Sequence, residues 1–167
     1  MSSPRTLVAG VGNIFLGDDG FGCEVARRLA AARSLPDGVK VEDFGIRGLH
    51  LAYELLDGYD VLILVDTMGR NEDPGTLTVM EVDPNVEGGV APDAHDMDPA
   101  TMLALLTDMG GKVGRVLVVG CEPAEVGEGI GLSDPVAAAV EEAMGVVHEL
   151  VVEVQAVETS AFAGKES

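Results

Sequence analysis

A ten-residue stretch near the middle of the chain, YDVLILVDTM at positions 59–68, constrains the fold most strongly. Its apolar residues follow one another without the alternation that a half-exposed strand would show. Such a run is typical of a central strand in a parallel sheet that is covered by helices on both faces. The run ends in Asp66, so a charged side chain stands at the end of a buried strand.

The rest of the chain alternates between strand-like and helix-like segments. Strand-like runs occur at residues 6–10, 39–44, 76–83 and 115–121. Apolar residues recur at helical spacing in segments 21–29, 48–58, 99–109 and 133–150. This order predicts a three-layer α/β/α sandwich with a mostly parallel sheet, in which 76–83 is an edge strand. We expect one domain at 1–155 and a frayed tail at 156–167, where the periodicity is lost.

The glycine-rich segment GVGNIFLGDDGFG, residues 10–22, follows the first strand-like run and raises the possibility of a nucleotide site. Gly10 and Gly12 match the first two glycines of the dinucleotide-binding pattern G-x-G-x-x-G. Phe15 replaces the third glycine. The two adjacent aspartates of the segment would also repel a pyrophosphate, so this reading is the weaker one.

The same segment fits a metal site better. If the first and third strands are neighbours, Asp19 and Asp66 converge at the point where the strand order reverses, and His95 lies in a loop that reaches the same edge. One histidine and two carboxylates with open positions suit nickel, zinc, iron or manganese. Two alternatives stay open: Asp19 as an acid favoured by a helix dipole, and His95 as a surface histidine.

Three neighbouring residues receive structural interpretations. Asp18 is predicted to be a helix N-cap, because aspartate accepts hydrogen bonds from the first turn of a helix. Cys121 closes a strand without a partner that would activate it, so we expect a small buried residue. Glu122 is expected to be either exposed or a support for the site.

Charge and cysteine usage limit the classes of partner. The chain has 29 acidic and 10 basic residues, a net charge of −19, which disfavours nucleic acid and anionic membranes as partners. Its two cysteines form no C-x-x-C pair, which indicates neither a disulfide framework nor a zinc knuckle. The chain shows no apolar run long enough to span a bilayer and no signal-peptide pattern, so we expect a cytoplasmic protein.

Four segments together resemble the hydrogenase maturation endopeptidases: GVGNIFLGDDGFG, LILVDTM, AHDMDP and VVGCEPAEVGEGIGLSDPV. They occur in the order and spacing of that family, and the resemblance extends from residue 6 to about residue 150. It implies a five-stranded twisted sheet with one antiparallel strand. It also implies a metal-binding trio that falls on Asp19, Asp66 and His95.

The resemblance further implies a protease that removes the C-terminal extension of a [NiFe] hydrogenase large-subunit precursor after nickel insertion. The nickel would come with the substrate, and no nucleotide would be required. Asp19 and Asp66 would be the catalytic residues, with water activated either by a carboxylate or by the metal. We expect a monomer whose partner is the precursor. A nickel-binding chaperone and, less favoured, a nucleotide-binding domain are the alternatives.

Overall fold

The computed structural model describes residues 4–46, 48–84 and 99–165. The strands are β1 Thr6–Val11, β2 Val39–Gly45, β3 Val61–Thr67, β4 Leu77–Val82 and β5 Arg115–Cys121. The helices are α1 Phe21–Ala32, α2 Gly48–Leu55, α3 Pro99–Asp108 and α4 Asp134–Lys165. One turn of 3-10 helix, Gly17–Gly20, leads into α1.

The strands form one sheet in the order β2-β1-β3-β5-β4. All neighbouring pairs are parallel except β4, which is an antiparallel edge strand beside β5. The predicted three-layer sandwich, with a five-stranded, mostly parallel sheet and one antiparallel strand, is therefore confirmed. β3, which lies within the apolar segment 59–68, is the central strand.

The alternation of side chains along β3 creates two separate cores. Ile63 and Val65 face the layer formed by α1 and α4, and Leu62 and Leu64 face the layer formed by α2 and α3. All four side chains are fully buried or nearly so. A strand covered on both faces has no polar side to present to water, which explains the unbroken apolar run.

The start of α1 lies directly against the carboxyl ends of β1 and β3. A Cβ atom added to Gly22 would be 2.1 Å from the carbonyl oxygen of Val65 and 2.5 Å from that of Val11. A Cβ atom added to Gly10 would be 2.2 Å from the carbonyl oxygen of Gly22. Only glycine permits this approach, and it holds the turn that carries Asp19 over the ends of both strands.

The last helix differs in part from the sequence expectation. α4 continues to Lys165, beyond Gln155, where the apolar periodicity is lost. Half of residues 156–165 are alanine, glutamate or lysine, which are good helix formers and favour a helical backbone there. The division into a domain at 1–155 and a tail at 156–167 stays a prediction. In the described part of the chain, no helix combines the length and apolarity needed to cross a bilayer.

We predict that Gly22→Ala lowers the free energy of unfolding by about 3 kcal/mol, because its methyl group would overlap backbone oxygens that cannot move aside. Gly145→Ala is the matched control, because a Cβ atom at this position in α4 has no neighbour within 4 Å. We expect it to raise the free energy of unfolding by up to about 1 kcal/mol. Urea denaturation measures both values, and equal stability of the two variants would contradict the close approach of α1.

Candidate active site

The loop between β1 and α1 places Asp19 through its own hydrogen bonds. The side-chain oxygen of Asn13 accepts a hydrogen bond of 2.9 Å from the Phe15 N–H, forming an Asx turn. Gly12 has a φ angle of +138°, and a Cβ atom there would be 1.9 Å from the backbone oxygen of Asp19. The position of Asp19 relative to the end of β1 is therefore set by backbone contacts that require glycine.

Asp19 and Asp66 come together around the hydroxyl group of Thr67. This hydroxyl lies 3.1 Å from Oδ1 of Asp19 and 3.5 Å from Oδ1 of Asp66. Backbone N–H groups complete the arrangement: Asn13 donates to Oδ2 of Asp19 at 2.9 Å and Thr67 donates to Oδ1 of Asp66 at 2.7 Å. Two carboxylates thus share one hydroxyl neighbour at the point where the strand order reverses between β1 and β3.

The environment of Asp66 disfavours its charge. Burial raises the pKa of Asp66 to about 7, the hydrogen bond from the Thr67 N–H acts in the opposite direction, and the negative charge of Asp19 adds to the rise. Among the described residues, no lysine, arginine or histidine forms an ion pair with Asp19 or Asp66. A cation bound between these carboxylates would supply the compensating charge, and their oxygens suit a metal ion.

His95, the third predicted ligand, lies outside the described residues. Within the described ranges, no group of three histidine, cysteine or acidic side chains is arranged to hold a metal ion. The structure therefore brings two members of the predicted trio together and carries no information on the third. The roles of Asp19, Asp66 and His95 as ligands or catalysts stay predictions.

Asp18 serves the fold rather than capping its own helix, so its predicted role was wrong. Its side chain is fully buried and accepts four hydrogen bonds of 2.7–2.8 Å. The donors are the N–H groups of Ala124, Glu125 and Ser133 and the hydroxyl group of Ser133. These partners lie more than one hundred residues along the chain, where the sequence offers no local signal for them.

The hydrogen bonds keep Asp18 charged in the interior. Burial alone raises its pKa, but the bonds from Glu125, Ser133 and Ala124 outweigh burial and hold the pKa below its ordinary value. One buried carboxylate thereby joins the turn at Gly17–Gly20 to the segment that enters α4. We refer to the four hydrogen bonds as the Asp18 latch.

Glu122 is a second carboxylate with a structural role. It is buried, and its Oε1 accepts hydrogen bonds of 2.6 Å from the Arg70 N–H and 3.1 Å from the Glu72 N–H. The backbone four and six residues beyond Asp66 is therefore tied to the residue that follows β5. Of the two expectations for Glu122, support for the region of the site is the one that the structure favours.

Neither cysteine is suited to act as a nucleophile. Both are free thiols and both are buried. Burial raises the pKa of Cys121 to about 11, and burial together with the carboxylate of Asp43 raises the pKa of Cys23 even further. A protonated, buried thiol is unreactive, so the prediction that Cys121 is a small buried residue is confirmed.

Sequence reasoning missed two residues that orient the carboxylates. Thr67 directly follows Asp66, and its hydroxyl group reaches Asp19 from the neighbouring strand. Asn13 follows the second glycine of the loop and contributes both its side chain and its N–H group. Their positions beside Asp66 and Gly12 were the available signals, since polar residues at strand ends concentrate at the ligand-binding edge of an α/β sheet.

Comparison with known proteins shows consistent similarity over most of the chain. A family model described as HycI, hydrogenase maturation protease, matches residues 23–150, which include Asp66 and His95 and begin just after Asp19. The hydrogenase expression/formation protein HupM of Azotobacter chroococcum is 34% identical over 148 residues, covering 87% of this chain and 70% of HupM.

Solved structures agree with the sequence comparison. The hydrogenase maturating endopeptidase HybD of E. coli superposes with a TM-score of 0.74 at 30% identity, covering 89% of this chain and 93% of HybD. The hydrogenase 2 maturation peptidase of Thaumarchaeota archaeon SCGC_AB-539-E09 has a TM-score of 0.69 at 31% identity, covering 88% of this chain and 97% of that chain.

We predict that Asp18→Asn lowers the free energy of unfolding by about 2–4 kcal/mol at pH 7, because the amide brings an N–H group toward buried donors. The folded pKa of Asp18 is lowered, so its contribution is full above the unfolded pKa, 3.8, and is lost as the pH falls through the folded value. Denaturation between pH 7 and pH 3 checks this, with exposed Asp37→Asn as the control. A loss equal to that of the control would contradict the latch.

We predict that Asp66→Asn raises the free energy of unfolding, in contrast to Asp18→Asn. The folded pKa of Asp66, about 7, is above its ordinary value of 3.8, so the stability of the wild type falls as the pH rises between these values. The asparagine variant does not ionise, so at pH 8 its free energy of unfolding should exceed that of the wild type by on the order of 2–4 kcal/mol. Denaturation in metal-free buffer at pH 4 and pH 8 checks the difference, and a variant advantage that does not grow with pH would contradict it.

Proposed function

The chain belongs to the hydrogenase maturation protease family, and from this membership we propose that it removes the C-terminal extension of a [NiFe] hydrogenase large-subunit precursor. The precursor is the substrate, and the nickel that it carries is part of that substrate. Cleavage follows nickel insertion because the metal bridges the precursor and the protease.

One observation carries this proposal: Asp19 and Asp66 lie together without a cation partner among the described residues. Two such carboxylates accept a metal ion that arrives with a partner, and His95 supplies a nitrogen ligand. A nickel-loaded precursor brings the positive charge that this pair lacks. The charge balance therefore makes the metal a checkpoint for productive binding.

We propose that Asp66 handles the proton in the hydrolysis. Without a bound metal the pKa of Asp66 is raised to about 7, and a positive charge beside it would lower this value, so Asp66 would be the ionised carboxylate that takes a proton from water near neutral pH. The hydroxide then adds to the scissile carbonyl carbon, and the same proton passes to the amide nitrogen as the carbon–nitrogen bond breaks. Metal-assisted activation of the water is the alternative, in which Asp66 serves only as a ligand.

The setting of the reaction follows from the cysteines and the charge. We propose a cytoplasmic location, because Cys23 and Cys121 are free thiols, which suits a reducing compartment. We further propose that the protein acts as a monomer, with the precursor as its partner and without nucleotide. The net charge of −19 makes nucleic acid and anionic membranes unfavourable partners.

The test is cleavage of a purified large-subunit precursor from the same organism, nickel-loaded or nickel-free, followed by mass spectrometry. We expect loss of a C-terminal peptide only from the nickel-loaded form. Equal cleavage of both forms would contradict the checkpoint. Tight nickel binding by the protein without peptide release would favour the chaperone alternative.

Variants separate the proposed roles from folding. We expect Asp19→Asn and His95→Ala each to reduce the cleavage rate at least 100-fold, since each removes a metal ligand that is needed for productive binding. Circular dichroism and urea denaturation confirm that each variant is folded. Asp37→Asn is the control that keeps the wild-type rate, and full activity of either ligand variant would contradict the assigned trio.

A further inference from the structure

Large apolar side chains are exposed on two loops beside the carboxylate pair. Ile14 and Phe15, in the loop after β1, are 47% and 61% exposed. Val126 and Ile130, in the loop between β5 and α4, are 49% and 79% exposed. We call these four residues the two-loop surface. Clustered apolar side chains at the surface are typical of a site that binds a partner.

Backbone hydrogen bonds join the two loops into one surface. The Gly17 N–H donates to the Gly129 oxygen at 2.8 Å, and the Gly129 N–H donates to the Phe15 oxygen at 2.9 Å. The Asp18 latch adds four further bonds between the same loops. The exposed side chains are therefore presented on an ordered backbone, which reduces the entropy cost of binding.

Two adjoining cavities make the surface concave. A cavity of about 460 Å³ is lined by Val126 and Ile130, and a second of about 260 Å³ is lined by Ile14, Leu132 and, again, Ile130. Both cavities also include Gly17 and Gly131 in their walls. Ile130 thus stands where the two cavities meet, and each cavity is large enough to accept a side chain of a partner.

The charged residues that line the cavities are mostly acidic. Glu125 and Glu128 line the larger cavity and form no ion pair within the described residues. Asp43 lines the smaller cavity; among the described residues that line it, Arg27 alone is basic, and Arg27 is paired with Glu24. A partner that fits this surface therefore has apolar side chains together with lysine or arginine.

We propose that the two-loop surface binds a segment of the large-subunit precursor that carries apolar and basic side chains. This inference rests on the proposed function. The turn Gly17–Gly20 joins this surface to the carboxylate pair, because Asp18 holds the loop of Ile130 and the next residue, Asp19, faces Thr67. A segment bound here would hold the precursor while its nickel reaches the carboxylates.

The experiment measures cleavage of nickel-loaded precursor at increasing precursor concentration. We expect Ile130→Ser to raise KM about tenfold while kcat changes little, because the side chain contacts the bound segment in the ground state and the transition state alike. Val152→Ser, a substitution at a position that is 63% exposed on α4, is the matched control and should keep the wild-type KM. Equal KM values for the two variants would overturn the proposal.

The basic character of the segment has its own test. The double variant Glu125→Lys, Glu128→Lys should weaken precursor binding about tenfold in low salt, and added salt should narrow the difference from the wild type. An unchanged affinity would overturn the assignment of a basic segment. If the wild type does not cleave the precursor, both the proposed function and this inference are overturned. If the wild type cleaves it, and the variants have the KM and the precursor affinity of the wild type, this inference alone is overturned.

Discussion

The buried carboxylate of Asp18 is the interaction on which the site depends. Its four hydrogen bonds connect the turn after β1 to the segment that enters α4. In a 3-10 turn successive residues point about 120° apart, so adjacent side chains serve different neighbours. Asp18 is directed to the loop before α4, while Asp19 is directed to Thr67 at the end of β3.

Asp18 and Asp66 show how one residue type acquires opposite roles from its surroundings. Both carboxylates are withdrawn from water, but the protein supplies four donors to Asp18, whose pKa is lowered. Burial raises the pKa of Asp66 and the negative charge of Asp19 adds to the rise, while its one short hydrogen bond offsets only part of it. The hydrogen bonds to Asp18 stabilise the fold. The charged form of Asp66 is unfavourable in the folded protein, and a bound cation would stabilise it.

The parts of the fold that sequence could predict are those with a local pattern. Local patterns are present in the apolar run of β3, the alternation of β4 and the glycines before α1. Together these patterns predict the three-layer sandwich and the close approach of Asp19 and Asp66. The partners of Asp18 and Glu122 could not be predicted, because they are backbone N–H groups of distant segments with no sequence signature. His95 lies outside the described residues, so its place beside the pair stays a prediction.

The glycines and the aspartates of the first loop act together: the glycines permit close approach of the backbone, and the aspartates make the contacts that this approach allows. Gly22 lets α1 approach the ends of β1 and β3, and Gly12 lets the backbone pass close to Asp19. The latch then attaches the loop of Ile130 to the same short turn. The proposed precursor-binding surface on that loop and the two carboxylates are therefore positioned by a shared piece of backbone. A phosphate-binding loop would use its glycines to expose N–H groups, whereas here the N–H of Asn13 is directed to the carboxylate of Asp19.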